Sequence, residues 1–185
     1  PKRRIHRHSD TEHRVWQLPN SAEFDPGAIA LSDSGELLVA LRVGIARFSS
    51  DSAAGNIAPE IWIKAPYDTA TTRFNDGGVD AHGRWWIGSL FATKTRAGAG
   101  LYCLDKGKLK AILGEQAAQK PWQDWGVTTA NGWAMSPDGT RMYHADTQAH
   151  TVYQYDFSAK LPVESALSQR RVFFQTTDTR QQSNP

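Results

Sequence analysis

The sequence predicts an all-β chain that forms part of a β-propeller, with about three blades behind a leading hairpin. Three observations carry this. Aromatic and β-branched stretches are short and are broken by Gly, Pro, Asp and Ser, and the 185 residues include 7 Trp, 15 Gly and 9 Pro, a composition that suits short strands and tight turns. Helical periodicity is nearly absent. A unit of turn, aromatic strand and Gly-led strand also recurs three times in the same order, which a sandwich would not require.

The elements follow in chain order. Arg4 to His8, the turn Ser9-Asp10-Thr11-Glu12, and His13 to Pro19 read as a hairpin whose alternating charges suit a soluble edge. The first four-strand unit is Gly27–Leu31, Glu36–Ala40, Gly44–Phe48 and Glu60–Lys64, with Ser32-Asp33-Ser34-Gly35 as its first turn and a Ser, Ala, Gly and Asp-rich loop from Ser49 to Pro59. The second runs Gly77–Asp80, Arg84–Gly88, Gly100–Leu104 and Lys108–Leu113, and the third Trp133–Ser136, Arg141–Ala145, Thr151–Tyr155 and Arg171–Phe174. The turn glycines Gly35, Gly83 and Gly139 mark the register, at roughly the 40 to 55 residues expected of blades. Only Gly114 to Lys120 has helix-forming composition, and it is too short to stand alone.

Composition narrows the function classes. Hydrophobic content of 39% and charged content of 22% fit a globular chain, and a single domain is expected over residues 1–185. A net charge of +2 gives no global field for nucleic acid or anionic lipid. Cys103 is the single cysteine, which excludes an internal disulfide or a Cys-based zinc cluster; its place in a strand reads as buried filler. No apolar run approaches the roughly 20 residues of a membrane span, and no apolar region follows the basic start as in a secretory signal. The expectation is a cytoplasmic protein with no nucleic-acid or membrane partner.

The register singles out three residues. Asn75 precedes Gly83 by the same interval at which Asn131 precedes Gly139, and the equivalent place before Gly35 is Gly27. First strands of propeller blades line the central channel, so Asn75 and Asn131 are expected to face one pocket, with Arg73 on its rim. Asn oxygens are hard donors suited to Ca²⁺, Mg²⁺ or Mn²⁺ when carboxylates supplement them. Taken singly, Asn-Gly and Asn-Asp-Gly are common turn sequences; their coincidence in register favours a site. Asp33-Ser34-Gly35 and Pro137-Asp138-Gly139 read as plain hairpin turns, and Trp85, Trp86, Trp133 and Tyr143 as inter-blade packing. There is no Gly-x-Ser-x-Gly elbow, phosphate-binding Gly loop or His-x-x-x-His pair. The six histidines are scattered; His144 and His150 could reach a pocket, though a core or surface role fits each better.

The run Arg73-Phe74-Asn75-Asp76-Gly77 through Trp86-Ile87-Gly88-Ser89-Leu90, followed by Asn131 to Gly139 and Tyr143-His144-Ala145-Asp146-Thr147, resembles the gluconolactonase, senescence-marker-protein and luciferin-regenerating family from about Ile5 to Phe174. The resemblance implies a six-bladed propeller holding one divalent cation, Ca²⁺ or Zn²⁺, with Mn²⁺ or Mg²⁺ as alternatives, and a hydrolase that opens sugar lactones or related cyclic esters. By position it makes Asn131 a metal ligand and gives Arg73 and Asn75 to substrate or the metal's edge. It places a metal-binding Glu before Ile5 and an Asp, both ligand and general base, in a blade beyond Pro185. Thr93 stands where many relatives carry a substrate-contacting acid. The chain is thus expected to be a central part of a longer propeller, incomplete at both ends and inactive alone. The alternative is a non-catalytic propeller used for ligand or protein binding.

Overall fold

The computed structural model describes residues 3–115, 117 and 126–176. Strands β1 (Arg4–His8) and β2 (His13–Gln17) form the leading hairpin. Three four-stranded antiparallel sheets follow, each with its strands in sequence order. The first holds β3 (Pro26–Leu31), β4 (Glu36–Leu41), β5 (Gly44–Ser49) and β7 (Glu60–Lys64). The second holds β8 (Thr72–Val79), β9 (Trp85–Phe91), β10 (Leu101–Asp105) and β11 (Lys108–Leu113). The third holds β12 (Ala130–Met135), β13 (Arg141–Asp146), β14 (Thr151–Phe157) and β15 (Leu167–Gln175). These are three propeller blades behind a hairpin, as the repeat predicts.

Two features differ from the sequence reading. The Ser49–Pro59 loop contains a short strand, β6 (Gly55–Asn56), which pairs in parallel with β2 and joins the hairpin to the first blade. β8 also begins at Thr72 and β12 at Ala130, so the Asn motifs lie within strands rather than beside turns. The Gly114–Lys120 segment lies largely outside the described residues.

The blades stack through strands buried on both faces, and the period of two decides which way each side chain points. On β4, Leu37, Val39 and Leu41 pack with Ile5, Trp16 and Leu18 of the hairpin. Their neighbours Leu38 and Ala40 face the second blade and meet Trp85, Ile87, Tyr102 and Leu104. On β9 and β10 the alternation continues, since Trp86, Leu101 and Cys103 face the third blade and pack with Met142, Tyr155, Phe157 and Leu167. Cys103 is therefore a buried packing residue, and burial pushes its thiol pKa well up. Trp133 closes on the backbone of Gly78, where a Cβ would sit 2.9 Å from its ring. Tyr143 instead meets Phe173 of its own sheet edge-on, with ring centroids 4.9 Å apart.

The first turn of each blade is built alike. Ser32, Asp80 and Ser136 each accept a backbone hydrogen bond from their turn glycine, Gly35, Gly83 and Gly139. The side-chain oxygen of each also accepts the N–H that opens the next strand: Glu36 N to Ser32 Oγ, Arg84 N to Asp80 Oδ1 and Arg141 N to Ser136 Oγ, all at 3.0 Å. Ser32→Ala removes one such partner without a clash and should cost about 0.5–1.5 kcal/mol in urea unfolding.

Candidate functional site

The three innermost strands share a defect in register. Pairing of β3 with β4 shifts between Pro26 and Ala28, that of β8 with β9 between Phe74 and Gly77, and that of β12 with β13 between Asn131 and Trp133. Each shift is a β-bulge, which inserts an unpaired residue and re-aims the neighbouring side chain. The bulges fall on Gly27, on Asn75-Asp76 and on Gly132. Gly132 takes a φ of +66°, a conformation that glycine adopts without steric cost. The shared register of Gly27, Asn75 and Asn131 is thus a shared backbone irregularity.

The same place brings the strands close. A Cβ on Gly27 would lie 2.5 Å from the Phe74 carbonyl oxygen and 2.6 Å from that of Asn75, so β3 touches β8 where the bulge lies. On the other side Asn75 Nδ2 donates to the Ala130 carbonyl at 2.9 Å. Asp76 Oδ2 accepts from the Gly132 N–H at 2.9 Å, while its Oδ1 accepts from the Gly77 N–H at 2.8 Å. Asn131 Nδ2 donates to Thr147 Oγ1 at 3.2 Å. Both Asn amide groups therefore spend their N–H on the protein. Among the described residues neither Asn75 Oδ1 nor Asn131 Oδ1 accepts a hydrogen bond, which leaves two hard oxygens uncommitted.

Asn75 and Asn131 are brought together, with the amide of one bonded to the residue before the other. Arg73 sits two residues before Asn75, its Nη1 donating to the Phe74 carbonyl at 2.9 Å. Asp76 is the bridging residue that sequence reasoning missed, because Asn-Asp-Gly reads as a turn. Asp146 was missed as a support: its carboxylate accepts from the N–H groups of Thr128, Thr129 and Gln148 at 2.9, 3.1 and 3.2 Å. That anchors the chain entering β12 and hence the position of Asn131. Thr93 lies on the surface and shares a hydrogen bond with Thr95 at 3.0 Å. His144 is a core residue; burial lowers its pKa to about 4, and among the described residues neither ring nitrogen has a hydrogen-bond partner. His150 donates its N–H to the Thr147 carbonyl in the turn before β14.

Comparison with known proteins places this geometry in context. The SMP-30/Gluconolactonase/LRE-like region matches residues 1–185. The chain is 34% identical over 152 residues to a 6-deoxy-6-sulfogluconolactonase of Pseudomonas putida, covering 82% of this chain and 47% of that protein. Among solved structures, a luciferin-regenerating enzyme superposes with a TM-score of 0.73 at 23% identity, over 94% of this chain and 54% of its own. A calcium-binding regucalcin of Agrobacterium tumefaciens gives 0.74 at 21% identity, over 97% and 54%. These two likenesses concern the fold. The chain spans about half the length of each of these relatives. With a match over its whole length and its bulged inner strands in register, the chain belongs to the SMP-30/gluconolactonase/LRE-like family.

Proposed function

We propose that the chain contributes one wall of the site of a metal-dependent lactonase that opens sugar lactones or related cyclic esters. The observation that carries this reading is the convergence of Asn75 and Asn131 on adjoining bulges with both Oδ1 atoms uncommitted. Neutral amide oxygens suit a hard divalent cation, and Asn131 Oδ1 would be one ligand. About six oxygens are typical of such sites, so further donors are needed beside it. A bound cation would polarise the lactone carbonyl and stabilise negative charge on its oxygen.

The chain's own residues supply position. Asn75, held by its bond to Ala130, presents Oδ1 to accept from a sugar hydroxyl. Arg73 offers guanidinium N–H groups beside it. Two fixed polar contacts on one side of a ring restrict its orientation, which lowers the entropic part of the barrier. Asp76 is occupied by two backbone N–H groups, which fits it to hold the two bulges together rather than to activate water.

Hydrolysis of glucono-δ-lactone and of 6-deoxy-6-sulfogluconolactone, with and without Ca²⁺, Zn²⁺ or Mn²⁺, tests the reading on this chain and on a longer product that contains it. The longer product should show a metal-dependent rate, and the 185-residue chain should not. Asn131→Ala should lower that rate at least tenfold, about 1.4 kcal/mol in barrier. A rate indifferent to metal and to Asn131 would refute the proposal.

A further inference from the structure

Three of the histidines that look scattered in sequence meet on the leading hairpin. β1 and β2 pair with His8 directly opposite His13 and His6 opposite Val15. His6 and His8 lie two residues apart on one strand, so they share a face, and Ile5 between Arg4 and His6 points into the core instead. The rings stack: His8 and His13 have centroids 3.9 Å apart at 13°, and His6 lies 5.4 Å from His13. His6 Nδ1 and His13 Nε2 are 3.1 Å apart. One nitrogen from each of the three lies within 4.8 Å of the others, and all three residues are exposed.

We propose that His6, His8 and His13 form a binding site for a late first-row divalent ion such as Zn²⁺, Ni²⁺ or Cu²⁺, distinct in chemistry and location from the Asn75–Asn131 site. The ligand type selects the ion, because imidazole suits these metals while the oxygens around Asn131 suit harder ones. The geometry is close to that required. Zn–N bonds of about 2.0–2.1 Å in a tetrahedron place nitrogens about 3.4 Å apart, so the widest pair has to close by at most about 1.4 Å. Exposed His side chains reach that by rotation about χ1 and χ2, and a tautomer shift frees the lone pairs of His6 Nδ1 and His13 Nε2 together.

Neighbouring charges do not compete for the ligands. Arg4, on the histidine face of β1, donates to Gln17 Oε1. Arg7 is held by the Ser50 carbonyl and Asp51, and Arg14 by Glu12 at 2.6 Å. Among the described residues no carboxylate joins the cluster. Three nitrogens leave a fourth position open to water or another ligand. Binding would clamp the two strands across the turn Ser9–Glu12.

The test uses the untagged 185-residue chain, with Co²⁺ as spectroscopic probe and Zn²⁺ in titration calorimetry. One equivalent of Co²⁺ should give the intense visible bands of a tetrahedral ion, and Zn²⁺ should displace it. His8→Gln and His13→Gln should each weaken Zn²⁺ binding at least tenfold, and the triple Gln variant should abolish it. His82→Gln, away from the cluster, should change nothing. Circular dichroism confirms that each variant keeps the β-sheet signal of the parent chain. Absence of a tetrahedral Co²⁺ spectrum in the parent chain, or Zn²⁺ binding that survives the triple substitution, overturns the proposal.

Discussion

Asp80→Ala is expected to lower the stability of the chain by about 3–5 kcal/mol. Asp80 is 6% exposed and Arg84 is 5% exposed. The carboxylate accepts from His82 N at 2.8 Å, Arg84 N at 3.0 Å, Arg84 Nε at 2.7 Å and Trp86 Nε1 at 3.0 Å. Removing it orphans four donors and leaves the Arg84 cation buried over the rings of Trp86 and Phe157, 5.8 and 4.9 Å from their centroids. Among the described residues Arg84 Nη2 has no hydrogen-bond partner, so the pair is itself imperfectly compensated. Replacing both members, Asp80→Ala with Arg84→Met, should recover the part of the loss that comes from the stranded cation, while the His82 and Arg84 N–H groups and Trp86 Nε1 stay without their acceptor.

The same carboxylate imposes a pH signature. Burial raises the Asp80 pKa, but the bonds from Trp86, from the Arg84 and His82 N–H groups and from the Arg84 side chain outweigh it and leave the net value below the ordinary 3.8. A folded pKa below the unfolded one gives stability that is present in full above the unfolded value and is lost as pH falls through the folded value. Unfolding by urea should therefore ease steeply below about pH 4 in the parent chain, and less steeply in Asp80→Ala. A parent curve flat to pH 2, or a loss under 1 kcal/mol in the variant, would contradict this account.

The second large effect is expected at Gly27. Its added Cβ would stand 2.5 and 2.6 Å from two backbone oxygens of β8, and backbone cannot yield as a flexible side chain can. Gly27→Ala should force β3 away from β8 at a cost of about 1–3 kcal/mol. Because Asn75 lies at that contact, the substitution should also speed amide exchange along Phe74–Asp76. Gly35→Ala is the control: its φ is +80° but nothing lies within 4 Å, so only the backbone term of about 1–2 kcal/mol applies, without any change at Asn75. Equal exchange rates in the two variants would refute the coupling.

Much of this fold was legible because its strands are buried on both faces and its turns are glycine-marked. Leu37 to Leu41 and Trp85 to Ile87 can be read as strands without knowing what covers them. The inner ends of β8 and β12 were less legible, since Asn75-Asp76-Gly77 and Asn131-Gly132 have turn chemistry yet sit at bulges inside strands. Local propensity does not distinguish the two, because both use the same glycine conformations. The adjacency of Asn75 to the Ala130–Asn131 segment followed from register alone. The bridging role of Asp76 did not, as it depends on which N–H the adjacent blade offers. The histidine cluster was hidden for a related reason: only the pairing of His8 with His13 makes neighbours of residues separated by a turn. β6 was invisible because Gly55-Asn56 has no strand propensity and pairs through its backbone.

The bulges also act on parity. Phe74 faces the first blade, and so do Gly77 beside Trp85 and Val79 beside Ala30 and Leu38, while Gly78 faces Trp133 of the third. Even-numbered residues point one way before the bulge and odd-numbered residues after it. In β12, Ala130 packs with Phe91, and Trp133 and Met135 pack on the core between the second and third blades. The extra residue thus works as a half-period phase step that lets one strand satisfy two demands in succession, a polar side chain at the bulge and then a correctly faced core. Deleting Gly132 would restore an unbroken alternation and force a choice between them: either Asn131 or the Trp133–Met135 pair would have to change sides. The count of residues from Asn75 and Asn131 to their turn glycines is tied to which side of the blade everything beyond them occupies.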